Sequence, residues 1–199
     1  MCVICVSPKG SSQPTRDEIR AMFRHNPHGA GIMFPRKGKV HISKGYMDIE
    51  EFEELLDFYK FGVNDTVVYH FRISTQAGVC PEMTQPFPLG ALEDTPEIET
   101  DARIAFCHNG IIPMTTDKRE RDYSDTALFA PFLARLVHNI DDLDGYMEEI
   151  IAELIGHSKL AILDGQGRFK TVGCFTKFNG NLYSNRNHAM VGAGFRLFE

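Results

Sequence analysis

Apolar residues along this chain fall into two spacings, close-set in short runs and three or four apart in longer segments, and the two kinds of segment come in groups. Cys2 to Ser7 is a short, β-branched apolar run closed by Pro8 and Gly10, which predicts a buried strand beginning at the terminus itself. Thr15 and Glu18 form a capping-box pattern, and Ile19, Met22 and Phe23 give the apolar stripe of a helix reaching about His25. Gly29 to Phe34 and Lys39 to Ser43 predict two strands joined as a hairpin at Pro35 to Gly38. From Asp48 to Tyr59 the positions of Ile49, Phe52, Leu55, Leu56 and Tyr59 predict a helix, with acids crowding its start. Thr66 to Arg72 and Arg103 to His108 predict buried strands, separated by a proline-rich, acidic stretch from Cys80 to Asp101 that reads as a long loop. Ser124 to His138 is helical by spacing, although Pro131 is expected to kink that helix or to begin its regular part. A further helix is predicted from Leu143 to Ile155. Leu160 to Leu163, Phe169 to Val172, Thr176 to Phe178 and Asn181 to Tyr183 then predict short strands in an antiparallel meander.

Grouped rather than strictly alternating strands and helices predict an α+β architecture, not a doubly wound parallel sheet. With no internal repeat or low-complexity tract, a single domain over residues 1–199 is the simplest reading. At 43% hydrophobic residues the chain has ample material for a core. Its 21 basic and 27 acidic residues leave a net charge of −6, which argues against nucleic-acid binding driven by bulk charge. No run is apolar and long enough to span a membrane and no export signal is evident, so a cytoplasmic location is expected. Five cysteines, an odd number, are then expected to be reduced thiols.

Cys2 stands directly after the initiator Met, and methionine aminopeptidases remove Met before a small residue. The mature chain would then begin with a thiol and a free α-amine on one residue, a nucleophile beside its own general base. An α-amine titrates near about 7.7–8.0, so it accepts protons usefully at neutral pH. The bland alternative is a small apolar residue in a first strand. A third reading takes Cys2-Val3-Ile4-Cys5 as a C-x-x-C pair, but residues three apart on a strand face opposite sides and no second ligand pair lies nearby.

Further segments carry chemistry. His70-Phe71-Arg72 leaves a guanidinium at a strand end beside Ile73-Ser74-Thr75-Gln76-Ala77-Gly78, suited to a carboxylate. Asn109-Gly110 follows an apolar strand, where a side-chain amide and a backbone N–H can hold a developing oxyanion, though Asn-Gly is more often only a turn. Tyr123-Ser124-Asp125-Thr126 opens a helix, with Ser124 or Asp125 as its N-cap.

In this order along the chain, Cys2, Arg72, Asn109-Gly110 and Asp125 resemble the class II glutamine amidotransferase domain of the N-terminal-nucleophile (Ntn) hydrolases. Asn26 to Ile32 is similar to the family's glycine-rich strand, His70 to Thr75 matches its His-x-Arg-x-x-Thr, and Gln85-Pro86-Phe87 is similar to its His-Pro-Phe/His segment. The resemblance covers most of the chain and implies a four-layer αββα sandwich. It implies Cys2 as nucleophile with its α-amine as base, and an oxyanion hole of Asn109 and the Gly110 N–H. Arg72 and Thr75 would hold the glutamine carboxylate and Asp125 its ammonium group. It implies no cofactor and no metal. Three features depart from the sugar- and purine-synthesising members: His25 and His28 in the glycine-rich segment, Gln76-Ala77-Gly78 in place of a shorter His-Gly, and Gln85 where histidine is usual.

The leading expectation is a standalone glutaminase or amidotransferase that releases ammonia from glutamine to a separate acceptor enzyme. An Ntn amidohydrolase for another γ-glutamyl or small amide compound is the enzymatic alternative, and a non-catalytic binding or regulatory module of the same fold is the third. His70 and His108 are expected to be packed, hydrogen-bonded residues rather than bases. Tyr183-Ser184-Asn185 and Asn187-His188 are placed near the end of a strand with no role attached.

Overall fold

The computed structural model describes residues 1–74, 78–113 and 122–187. In chain order it runs β1 (Val3–Ser7), α1 (Arg16–His25), β2 (Ala30–Arg36), β3 (Lys39–Tyr46), α2 (Ile49–Tyr59), β4 (Val67–Phe71), β5 (Phe87–Pro88) and β6 (Glu99–Ala102). There follow β7 (Ile104–Asn109), α3 (Asp125–Leu136), α4 (Tyr146–Ile155), β8 (Lys159–Asp164), β9 (Phe169–Val172), β10 (Thr176–Phe178) and β11 (Asn181–Tyr183). The fold is mixed α/β, with four α-helices among the described residues and antiparallel pairing throughout both sheets.

The larger sheet has the order β10-β11-β1-β4-β2-β3-β6 and the smaller β5-β7-β8-β9. The two-residue alternation of the strands sorts their side chains. Val3 and Cys5 of β1 pack with Ile19 and Met22 of α1 and Phe52 of α2, while Ile4 and Val6 pack with Ala105 and Cys107 of β7 and Ala161 and Leu163 of β8. The opposite face of the smaller sheet, through Phe106, Leu160 and Ile162, packs on Phe129 and Leu133 of α3 and Ile151 and Ile155 of α4. Phe52 is fully buried in the first of these clusters, so truncating it to Ala is expected to cost about 3–5 kcal/mol.

Local signals account for the element ends. Thr15 and Glu18 form the reciprocal capping box of α1, and Asp48 caps α2 through the Glu50 N–H. Ser124 is the N-cap of α3, accepting from Ala127 N, which leaves Asp125 as the first helical residue. That helix continues through Pro131 to Leu136. The last helix begins later than its apolar spacing predicts, at Tyr146, because Ile140–Leu143 forms a separate 3-10 turn capped by Asn139.

Two expectations are corrected. The proline-rich stretch after Cys80 is not all loop: it carries β5, which pairs with β7, and β6, which edges the larger sheet beside β3. The charged Glu99 and Asp101 hid β6, and charges are what an exposed edge strand uses to resist further pairing. The last four strands are not one meander. β9 pairs with β8 in the smaller sheet, whereas β10 and β11 form a hairpin that returns to β1 in the larger one.

Candidate active site

β1 and β4 pair with Val3 opposite Phe71, and one more step in that register sets Cys2 opposite Arg72. Arg72 is held on its other side by the two residues that lead into β2, donating its N–H to Gly29 O at 2.8 Å and accepting at its own carbonyl from His28 N at 2.9 Å. The residue is 4% exposed, and Nη2 donates to Ser74 Oγ at 3.1 Å. Burial holds Arg72 below the usual guanidinium range, against the opposing pull of Cys2, Cys80 and Asp125.

The Cys2 thiol rests on the backbone of Ile73: Ile73 N donates to Sγ at 3.4 Å, and Sγ lies 3.6 Å from Ile73 O. Burial raises its pKa, with the Ile73 N–H, the terminal ammonium and Arg72 acting in the opposite direction. A thiol so placed stays protonated at neutral pH unless a base removes the proton. Cys2 and Cys5 face different surroundings, as their spacing predicts: Cys5 is buried among the helix-facing residues of the larger sheet. Cys107 is likewise a buried thiol, and Cys174 is an exposed one.

β7 ends at the same place. His70 on β4 donates from Nε2 to His108 O at 3.2 Å, joining the two sheets. Asn109, 1% exposed, shares the parity of Ala105 and Cys107 and turns toward the larger sheet, where Nδ2 donates to Ser184 Oγ at 2.8 Å. Ser184 Oγ also accepts from Ile4 N, and Asn185 Nδ2 donates to Cys2 O at 2.6 Å. Gly110 follows with φ +149°, and a Cβ there would lie 2.0 Å from Ser158 Oγ, so the position admits only glycine.

His108, one residue earlier and of opposite parity, turns toward α3. Its Nδ1 lies 2.8 Å from Thr126 Oγ1 and its N–H donates to Gln85 Oε1 at 2.6 Å. Gln85 reaches it because Gly31 has no side chain: a Cβ there would meet Gln85 O at 2.4 Å. Asp125 accepts from Ile112 N at Oδ2 and from Thr126 N at Oδ1. Burial pushes His70 down to about 3 and His108 down to about 4, so both imidazoles are neutral at physiological pH.

One cleft is lined by Met1, Cys2, Arg72, Ile73, Ser74, Gln85, His108, Gly110, Ser124, Asp125 and Thr126, with Ile111 at its rim. Four residues singled out in the sequence therefore meet there: Cys2, Arg72, Gly110 and Asp125. Asn109, next to Gly110 in the chain, is not among the lining residues, and its Nδ2 is tied to Ser184. Thr75 lies outside the described residues, as do Gln76 and His188. Sequence reasoning gave no role to Ser184, Asn185 or His28, whose Nδ1 accepts from Ser74 N at 2.8 Å. Their signal is topological, since each depends on a strand pairing made far away in sequence. Among the described residues no group of His, Cys, Asp and Glu is placed to hold a metal ion, and no helix is long and apolar enough to cross a membrane.

No protein-family model matches the chain, and no curated protein matches it in sequence. A solved structure is similar: glutamine phosphoribosylpyrophosphate (PRPP) amidotransferase from B. subtilis complexed with ADP and GMP, with a TM-score of 0.60 and 16% identity. The match covers 94% of this chain and 42% of that one, so the chain spans about two fifths of that protein's length. At that identity the likeness is one of fold.

Proposed function

We propose that residues 1–199 are one class II glutamine amidotransferase-like domain, a four-layer αββα sandwich of the Ntn type. It hydrolyses the side-chain amide of glutamine with an N-terminal Cys2 and supplies the ammonia to a separate acceptor enzyme. The observation that carries the reading is the meeting of the Cys2 thiol, the Arg72 guanidinium and the Asp125 carboxylate around one cleft. A zwitterionic amino acid needs a cation and an anion at fixed separation to present its side-chain amide to a nucleophile. The packing of helices on the outer faces of the two sheets supports the layered reading.

With Met1 present the Cys2 nitrogen is a peptide nitrogen and cannot act as a base. After Met1 is removed, the α-amine takes the thiol proton and Sγ attacks the amide carbon of glutamine. The charge on the tetrahedral oxygen is held by the Gly110 N–H and the Asn109 amide, the latter braced by Ser184. The C–N bond breaks as the α-ammonium returns its proton to the leaving nitrogen, giving ammonia and a γ-glutamyl thioester. Water, deprotonated by the same amine, then cleaves the C–S bond to give glutamate and the free thiol.

An amidohydrolase for another γ-glutamyl or small amide compound is the second reading. Gln85 favours it, because this residue replaces the family's usual histidine in the wall of the cleft. Intact-mass analysis followed by labelling with a glutamine-like diazoketone tests the proposal: loss of Met1 and one label on Cys2 are expected. Retained Met1, or a processed chain that takes no label, counts against it.

A further inference from the structure

His108 has a nitrogen that the mechanism above does not use. The residue is 1% exposed and lines the same cleft as Cys2, yet its Nε2 has no hydrogen-bond partner. The neighbours of the ring bear on which nitrogen carries its proton. The His108 N–H can only donate, so the Gln85 atom 2.6 Å away is the amide oxygen, and this turns the Gln85 NH₂ toward Thr126 Oγ1 at 3.3 Å. Thr126 Oγ1 therefore accepts from Gln85 and has a single hydrogen to give. Two acceptors are near: His108 Nδ1 at 2.8 Å, and Asp125 Oδ1 at 3.3 Å, which already accepts from Thr126 N at 2.8 Å. Two arrangements satisfy these contacts: Oγ1 gives its hydrogen to Nδ1 and Nε2 carries the ring proton, or Nδ1–H donates to Oγ1 and the hydroxyl turns to Asp125. The first keeps the hydroxyl hydrogen in the 2.8 Å contact, because 3.3 Å is long for an O–H···O bond.

We propose that the Gln85–Thr126–His108 chain fixes His108 as an Nε2–H donor to an oxygen of the ligand in the Cys2 cleft, a further substrate-contacting residue. The choice of ligand rests on the glutamine reading above; the direction of the hydrogen-bond chain does not. The depressed pKa of the ring, about 4, keeps it neutral and so preserves a single donor at physiological pH. An orphaned buried N–H is costly, and a ligand oxygen that satisfies it gains that cost back as affinity. The Gln85 amide is what gives the chain its direction: a carboxylate in its place would accept from both sides. Thr126 would then donate to residue 85, and His108 would have to carry its proton on Nδ1.

Long-range ¹H–¹⁵N NMR on the full chain carrying Cys2→Ala, with His108 assigned through His108→Gln, reads the tautomer with no ligand present. The expected pattern is Nε2–H, inverting to Nδ1–H in Gln85→Glu. If Gln85→Glu does not fold, Thr126→Ser should keep the pattern and Thr126→Val should lose it. Titration with L-glutamine or L-glutamate should shift the Nε2 resonance saturably, and affinity in Gln85→Glu should fall by about tenfold, as for one lost hydrogen bond. An Nδ1–H ring, an unmoved pattern in folded Gln85→Glu, or saturable binding that leaves Nε2 unmoved would overturn the proposal. Failure of both amino acids to bind would instead sink the glutamine reading, while the tautomer still upholds or overturns the hydrogen-bond chain.

Discussion

Asn109 Nδ2 donates to Ser184 Oγ at 2.8 Å, and this one bond ties the end of β7 in the smaller sheet to the residue after β11 in the larger. Ser184 Oγ simultaneously accepts from Ile4 N on β1, two residues from the nucleophile. The proposed oxyanion amide and the strand that carries Cys2 are thus braced by the same hydroxyl. Asn109→Ala is expected to lower kcat by the equivalent of roughly 3 kcal/mol with a smaller effect on KM, as for a lost oxyanion donor. Ser184→Ala, which leaves the amide present but unbraced, should lower kcat less. Steady-state ammonia release on both variants checks the order.

Arg72 and Asp125 are proposed to bind the two charged groups of the substrate rather than to act on the amide. Asp125→Asn should therefore raise KM on the order of tenfold or more while kcat changes less, because one charge-assisted contact is lost. The circular dichroism spectrum should be unchanged, since the Asn oxygen still accepts one of the two backbone N–H groups held by Asp125, from Ile112 and Thr126. A folded variant with unaltered KM would remove Asp125 from the site.

Gly110→Ala tests the backbone directly. A side chain there combines a left-handed φ of +149° with a Cβ 2.0 Å from Ser158 Oγ and 2.8 Å from Ser158 Cα. Strain and overlap together should cost about 2–4 kcal/mol, read as the shift in urea midpoint. Ser158→Gly in the same chain should recover part of that loss but not all, because the contact with the Ser158 backbone remains.

Stability should depend on pH through buried titratable groups. His70 and His108 are pushed from an ordinary value of 6.5 down to about 3 and about 4. Below pH 6.5 the unfolded chain binds protons that the folded chain excludes, so stability falls as pH drops toward 4, with a limiting slope of about 1.4 kcal/mol per pH unit for each ring. Lys44 donates to Glu82 O and Thr95 O inside the protein and is pushed down from 10.5 to about 7. Above pH 7 its unfolded form still holds the proton that the folded form has lost, so stability rises from pH 7 until about pH 9, where the buried Cys5 and Cys107 thiols, pushed up by burial, begin to oppose it. Urea melts across pH 4–10 check both limbs, and His70→Gln should flatten the acid one.

Much of this fold is legible in the sequence where local chemistry decides it. The Thr15 and Glu18 capping box, the Asp48 cap and the stripe from Ile49 to Tyr59 each specify a helix within a dozen residues. The strand pairings are not local. Nothing in the turns around Gly173 and Gly180 encodes that β9 stays with β8 while β10 and β11 cross to β1, and so the placement of Ser184 and Asn185 beside Cys2 was hidden. Cys2, Arg72, Gly110 and Asp125 were visible because each residue type is chemically costly or conformationally special where it stands. Gln85 was visible only as a substitution, since its meaning lies in two partners, His108 and Thr126, that are far from it in the chain.

Ammonia release from L-glutamine by the Met1-free chain, measured beside the same chain carrying Cys2→Ala, bears most directly on the nucleophile. Release by the processed chain and none from Cys2→Ala is the expected result. Release that persists undiminished in Cys2→Ala would contradict it.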